Sequence, residues 1–342
     1  MTQENSYLHP RVFIDHEELL HEVKGSINFN GSNKLNSLNI TIGNIDIQYS
    51  ALFNKLITLY LNNGSDDSVP IFRGYINSVK PSTTSINVTA LDVRTVLNSK
   101  SGALINLTDR DNYDGNTLAQ FIYQYVTDNI NTNKTVIGLD MLRDTNPPVF
   151  VTNQRLDSDV YSVITNTIKD AINEDDFLNP LTHFIDVYEG ANHSNITLVK
   201  EKLISSTPSY SFSYDDGLKS CSYNRRIPAN TAFYKGGSFK YTNQPTGVVG
   251  VKVKDAGDTA LNRNNAIRDI LINQQEKDEI TINVTKGYDI GLGSIIYLDV
   301  DEDDINGNHR VQGKTISFGD TISCSLKLNK KPIKMSDYIS SK

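Results

Sequence analysis

Between Leu56 and Asp92, short apolar runs alternate with polar turns in a pattern that predicts a three-strand meander. Leu56–Leu61 is apolar, β-branched or aromatic, and an Asn/Gly/Asp loop closes it. A second strand follows Pro70 and a turn occupies Pro81–Ser85. Ile86, Val88 and Ala90 then share one face of a third strand, with Asn87 and Thr89 on the other. The same order returns at Ser294–Leu328. There, a strand ending in Tyr297–Leu298 leads into an acidic Asn/Gly loop, a strand from His309 and a turn at Gly319–Asp320. A last strand follows, with Ile322, Cys324, Leu326 and Leu328 on one face. Upstream, ITIGNIDI at Ile40–Ile47 lines up with ITINVTKGYDI at Ile280–Ile290. The offset of 240 residues, Ile42 against Ile282, is too long for a solenoid period. One β-module is used twice.

The rest of the chain fits around these two copies. Arg11–Asp15 and Ser26–Asn30 read as short strands, Leu38–Gln48 as another around Gly43, and Asp92–Asn98 as a helical turn leaving the meander. Residues 1–100 therefore predict a small barrel or sandwich. The period then changes. Leu118, Phe121, Ile122, Tyr125 and Val126 take helical spacing within Asp114–Asn131, with Asp114 or Asn116 as the natural cap. Val160, Ile164, Ile168 and Ile172 repeat that spacing within Ser158–Asn173, capped by Ser158 or Asp159. Asn146-Pro147-Pro148 forces an extended link between the two helices. His183–Tyr188 and Ile196–Leu203 read as a hairpin, so residues 101–205 form an α+β insertion. Residues 206–342 return to strands at Tyr210–Tyr214, Lys219–Arg225, Phe233–Lys235 and Val248–Lys254. A helix over about 258–277 precedes the second module copy, and the tail after Pro332 is frayed or docks on a neighbour. The expected architecture is mainly β, with two similar small β-barrels and a middle α+β domain.

Composition narrows the chemistry. With 342 residues, 38% hydrophobic and 21% charged, the chain predicts a globular protein of two or three domains. A net charge of −7 argues against gripping nucleic-acid phosphate, while leaving room for a surface past which DNA slides. The two cysteines, Cys221 and Cys324, form no disulfide framework or metal pattern, and Cys324 reads as a buried thiol. No run is long enough to span a membrane, and the first residues lack a signal-peptide pattern, so synthesis in a cytoplasm is expected. Asn-x-Thr sequons at Asn39, Asn87, Asn106, Asn195 and Asn283 read as products of an Asn-rich composition.

Candidate catalytic patterns fail on spacing. His16 and His21 are five apart where a zinc-protease helix needs four, so a solvated face is preferred. A calcium loop starting at Asp299 would need Gly and Glu where Asp304 and Arg310 stand, and Asp109–Gly115 also misses the register. Both read as turn loops. The glycines of Gly287–Gly293 punctuate strands and open no helix, so no phosphate cradle follows. A spatial carboxylate pair for glycoside cleavage stays open but lacks an aromatic platform, Trp being absent. Arg225-Arg226 and Lys330-Lys331 read as solvated or salt-bridging basic pairs. No catalytic, cofactor or metal residue is assigned.

VPIFRGYINSV followed by INVTALDVRTVL resembles the first barrel of phage tail (baseplate) hub proteins, a family that includes the hub part of type VI secretion spikes. The resemblance rests on Phe72, Gly74 and Ile76 in one strand, and on the Ala-x-Asp step of Ala90 and Asp92 in the next. GSIIYLDVDEDDINGNHRVQGKTISF is similar to the later barrel through Gly293 and His309-Arg310-Val311. It covers the chain in order, with the insertion matching in position and class only. It implies a homotrimer whose two tail-tube-like barrels per chain make a pseudo-sixfold ring, mating the sixfold tail tube to the threefold central spike. Tape-measure and baseplate wedge proteins are further implied neighbours, with DNA only in transit, and location in the virion tail after assembly in the host cytoplasm. Phe72, Gly74, Ile76, Ala90, Asp92, Gly293, Arg310 and Val311 would serve barrel packing or the ring interface. No long C-terminal spike or lysozyme-like extension follows the second module, a departure that assigns those functions to separate partners. A receptor- or carbohydrate-binding tail module and a cell-wall hydrolase are the alternatives from other classes.

Overall fold

The computed structural model describes residues 9–31, 34–43, 49–62, 69–98, 105, 107–146, 148–152, 156, 159–168, 183–203, 205–225, 231–234, 237–240, 251–253, 278–301 and 305–329. The chain divides into two units. The first comprises residues 1–171, 182–200 and 314–324; the second comprises 172–181, 201–313 and 325–342.

In the first unit, strands β1 (His9–Ile14), β2 (Glu17–Glu18), β3 (Val23–Asn30), β4 (Ser37–Gly43), β5 (Leu56–Asn62), β6 (Phe72–Pro81) and β7 (Ser85–Asp92) form an antiparallel sheet. Its order is β3-β4-β7-β6-β5-β1-β2. The period-two patterns drive this pairing. Ile86, Val88 and Ala90 all face inward, joining Ile27, Leu38, Ile40, Ile42, Ile57, Leu59, Phe72 and Ile76 in one core. The turn of β1 into β2 sets Asp15 and His16 at positive φ, 48° and 72°. His16 and His21 are exposed around this hairpin, so no helix carries them.

The same unit holds a second core, built from residues between Val93 and Ile196. Helix α1 (Leu118–Tyr125) buries Leu118, Phe121, Ile122 and Tyr125, as the spacing predicts. Its cap is Thr117, which accepts from Gln120 N while the Gln120 side chain accepts from Thr117 N; Asp114 and Asn116 lie upstream of this reciprocal box. The helix continues as a wider π turn over Val126–Ile130. Helix α2 (Val160–Ile168) starts where Asp159 Oδ1 accepts from Ser162 N, at 3.1 Å. Strands β8 (Ile137–Gly138), β9 (His183–Glu189) and β10 (Ser194–Lys200) make a small sheet in the order β8-β10-β9.

From Tyr210 onward come β11 (Tyr210–Ser213), β12 (Leu218–Arg225), β13 (Thr231–Tyr234), β14 (Gly237–Lys240), β15 (Val251–Val253), β16 (Asp278–Val284), β17 (Ile295–Asp299), β18 (Gly307–Phe318) and β19 (Ser323–Asn329). Strands β13, β14 and β15 form a separate small sheet, and β14 had no counterpart in the sequence pattern. The helix expected over 258–277 and the tail after Pro332 lie outside the described residues. The other strands run in the order β12-β16-β19-β18-β17-β11. Matching Ile42 to Ile282 superposes this on β3-β4-β7-β6-β5-β1, strand for strand. One difference separates the copies: β1 is antiparallel to β5, whereas β11 is parallel to β17. The expected barrels are not closed among the described residues, because β2 and β12 each pair on one side only. The modules are open sheets.

The division between the units falls within β18. The strand's first half pairs with β17, and residues 314–318 belong to the first unit, where β18 neighbours β3. Thr315 Oγ1 donates to Asn28 Oδ1 at 2.9 Å, Lys314 Nζ lies 4.6 Å from the Phe29 ring centre, and Lys24 pairs with Asp320. Residue numbers fall in one strand as they rise in the other, so the pairing is antiparallel.

At Gly74 the backbone of β6 lies close against β7. A Cβ there would stand 2.1 Å from the Leu91 carbonyl oxygen, which is backbone and has little freedom to move. Gly74→Ala is expected to destabilise the fold by about 1–3 kcal/mol in urea unfolding. Gly43→Ala, with nothing within 4 Å of its Cβ, is expected to change stability by about 0.5 kcal/mol or less.

Candidate functional site: buried arginine–carboxylate anchors

Among the described residues three arginines are buried: Arg73, Arg94 and Arg310. A guanidinium offers five donors, so each needs a shell of acceptors in place of water.

Arg94 follows the Ala90–Asp92 step. Asp92 ends β7 and caps the 3-10 turn Val93–Leu97, accepting from Arg94 N at 2.9 Å. It also accepts from Asn36 N at 2.5 Å and from the Arg94 guanidinium at 2.5–3.1 Å. Arg94 donates further to the carbonyls of Ile185 and Lys34. One buried pair thereby ties β7, the approach to β4 and β9. Burial opposes the charge of Arg94, but the Asp92 carboxylate more than offsets this and holds the guanidinium above its usual pKa. Nearby, burial raises the Asp186 carboxyl against the pull of Arg94, and pushes the Tyr161 hydroxyl up to about 12.

Arg73 and Arg310 form a matched pair. Arg73 stands opposite Thr58 and Arg310 opposite Ile295, and in each copy a tyrosine follows two residues later, Tyr60 and Tyr297. Each arginine meets a glutamate and the carbonyls just after it. Arg73 Nη1 lies 3.7 Å from Glu189 Oε2 and its guanidinium donates to the carbonyls of Gly190 and Ala191, at 3.3 and 3.1 Å. Arg310 Nη1 lies 3.1 Å from Glu201 Oε2, while Nη2 and Nε donate to the Lys202 carbonyl at 2.7 and 3.0 Å. Gln312 adds a hydrogen bond to Glu201 Oε1 at 2.7 Å. Burial lowers the pKa of Arg310 and Glu201 opposes that, but the guanidinium's wide margin keeps it charged.

Arg73 was missed in sequence, although it lies between Phe72 and Gly74. The signal was present: the two copies share an arginine at this one strand position. Of the residues that carried the resemblance, Phe72, Ile76, Ala90, Asp92, Arg310 and Val311 are all buried within the chain. Gly293 sits at φ 75°, its N–H donating to Val311 O at 2.8 Å. Phe72, Gly74, Ile76, Ala90 and Asp92 lie in the first module, Gly293, Arg310 and Val311 in the second.

The arrangement holds rather than reacts. Glu189 and Glu201 are spent on arginine and hydrogen-bond donors, and Cys324 is buried with its thiol pushed up to about 11 by that burial. Among the described residues no three His, Cys, Asp or Glu side chains are grouped to hold a metal ion. No described helix is long and apolar enough to cross a membrane. A depression over α1 is lined by Asn116, Ala119, Gln120, Tyr123, Gln124 and Leu142.

No protein-family model and no curated protein matches the sequence. Solved structures do match in fold. A tail protein from Neisseria meningitidis MC58 is 16% identical with a TM-score of 0.62, the match covering 95% of this chain and 97% of that one. The 43 kDa tail protein of prophage MuSo2 from Shewanella oneidensis is 11% identical with a TM-score of 0.63, covering 96% and 100%. An E. coli component of the type VI secretion system, described as structurally similar to the T4 bacteriophage tail proteins gp27 and gp5, is 10% identical. Its TM-score is 0.55, with coverage of 95% and 77%. The mainly β chain thus has a tail-protein fold. More narrowly, it groups by fold with phage tail proteins and type VI secretion components.

Two outcomes test the anchors. Asp92→Asn or Arg94→Met alone is expected to cost about 3–5 kcal/mol in chemical denaturation, since each strands a buried partner. The double variant should cost less than the sum. The second concerns pH. Burial pushes the Glu189 carboxyl up to about 7 from an ordinary 4.5, with Ser194 and Arg73 opposing. The folded chain therefore holds a proton that the unfolded chain releases earlier. Stability should fall as pH rises from about 4.5 to about 7, by up to about 3 kcal/mol. Glu189→Gln is expected to flatten that slope in melts across the same range.

Proposed function

We propose that this chain is a structural, non-catalytic hub of a phage tail or related injection machine, acting as a homotrimer. The observation that carries the reading is the duplicated strand order, β3-β4-β7-β6-β5-β1 and β12-β16-β19-β18-β17-β11. Two like modules in each of three chains present six module surfaces under threefold symmetry, the match needed between a sixfold tail tube and a threefold central spike. The fold shared with tail and type VI secretion proteins supports the same place. The three-part division at residues 1–100, 101–205 and 206–342 belongs to this reading, with the middle α+β part inserted between the modules.

On this reading the partners are the tail tube on one side and the spike on the other, with tape-measure and baseplate wedge proteins nearby. The net charge of −7 suits a lumen that passes DNA without retaining it. The site of action is the virion tail, after assembly in the host cytoplasm.

Light scattering and electron-microscope class averages of the purified protein, alone and with tube and spike proteins, test this. A threefold particle with a sixfold-looking ring is expected. A monomer under all of these conditions would overturn the proposal.

A further inference from the structure

The depression over α1 gathers polar groups that the fold does not use. Its volume is about 470 Å³, within the roughly 300–1,000 Å³ of small-ligand sites. Ala119 and Leu142 are buried beneath it, while Gln120 and Tyr123 stand exposed, Tyr123 at 57%. Each of the three side-chain amides is turned by a partner whose own role is fixed. The Asn112 carbonyl can only accept, so it takes the Nδ2 end of Asn116, at 3.3 Å. That Nδ2 also donates to Gln124 at 3.0 Å, so the Gln124 atom it meets is Oε1. The Thr117 N–H can only donate, so it holds Gln120 by Oε1, at 3.0 Å. Among the described residues, Asn116 Oδ1, Gln120 Nε2, Gln124 Nε2 and the Tyr123 hydroxyl are left without a hydrogen bond. One oriented acceptor and two oriented amide donors therefore stand beside an exposed aromatic ring.

We propose that this depression binds a neutral glycan, with Tyr123 stacking on one sugar ring and Asn116, Gln120 and Gln124 bonding its hydroxyls. A pyranose has a face of C–H groups and a rim of hydroxyls, each both donor and acceptor. It matches an aromatic ring with an open face, set beside amides that offer donors and an acceptor. Ala119 and Leu142 give the floor apolar contact. The amides are already held in place, so binding orders few side chains and loses little entropy. The charge pattern favours a neutral ligand. The described lining is uncharged, and Arg143 and Asp144, which follow Leu142, are engaged with backbone. Arg143 Nη1 donates to the Asp140 and Leu142 carbonyls at 2.9 and 2.7 Å, and Asp144 Oδ1 accepts from Ala119 N at 3.3 Å. An extended peptide backbone has the hydrogen-bonding groups but no flat C–H face for Tyr123, which favours the sugar. The site uses none of the duplicated strands, so its occupancy does not depend on the hub reading.

Saturation-transfer NMR and titration calorimetry on the full chain test it, with maltotriose, cellotriose and triacetylchitotriose as probes. Binding of at least one is expected, with saturation strongest at the sugar's C–H protons. Tyr123→Ala should weaken that binding about tenfold or more, and Tyr123→Phe about threefold or less, because the stacking face survives. Gln124→Glu keeps the oxygen that orients Asn116 and removes the outward donors, so a loss of about tenfold is expected. Tyr123→Phe also serves as the folding control for Tyr123→Ala. Failure of all three sugars to bind, or binding that Tyr123→Ala leaves unchanged, would overturn the assignment. So would binding of an uncharged blocked peptide, acetyl-tetraglycine amide, in place of the sugars. Each of these results leaves the hub reading, which particle symmetry tests, as it stands.

Discussion

The first unit depends on one buried ion pair. Arg94 is placed in a protein interior where a bare guanidinium would be prohibitively costly, so its acceptors must all be in position at once. Those acceptors come from three places: the carboxylate that ends β7, the backbone before β4, and the backbone of β9. A shift of any one leaves a donor unmet in a medium that magnifies the loss. Hydrophobic contacts would tolerate several alignments of sheet and insertion; the Asp92–Arg94 pair selects one.

The other two buried arginines show the same device used twice. Arg73 and Arg310 each leave the equivalent strand of a module and close on a glutamate, Glu189 and Glu201, that brackets β10. The chain therefore enters and leaves β10 beside an arginine–glutamate clasp, the first in the first unit and the other in the second. The copies differ in strand direction at β1 and β11.

Much of this was legible in the residues. The faces of β7 and β19 could be read from alternation alone, because Ile86, Val88 and Ala90, and Cys324, Leu326 and Leu328, all point inward. The helical spacing of Leu118, Phe121, Ile122 and Tyr125 was equally plain. The cap was misassigned because Asp114, Asn116 and Thr117 are all good caps, and only the reciprocal bond with Gln120 separates them. The anchors were less visible. A strand arginine is normally a surface residue, and nothing local says that Glu189, 116 positions away, will bury Arg73. Barrel closure is a property of strand edges, which side-chain patterns do not encode; those patterns led to barrels where the described sheets are open.

The pairing of β18 with β3 bears on the order of events during synthesis. Asn28 and Thr315 are separated by 287 positions, so a ribosome adds that many residues after Asn28 before its partner in β18 exists. Until then the first module is held by local strand contacts, with one of its edges bare. Long-range pairing of this kind slows folding and prolongs exposure to other chains. The strand that completes the first unit is thus also a timer. The opening module reaches its final form only when the closing one is nearly finished, so neither is mature long before the other.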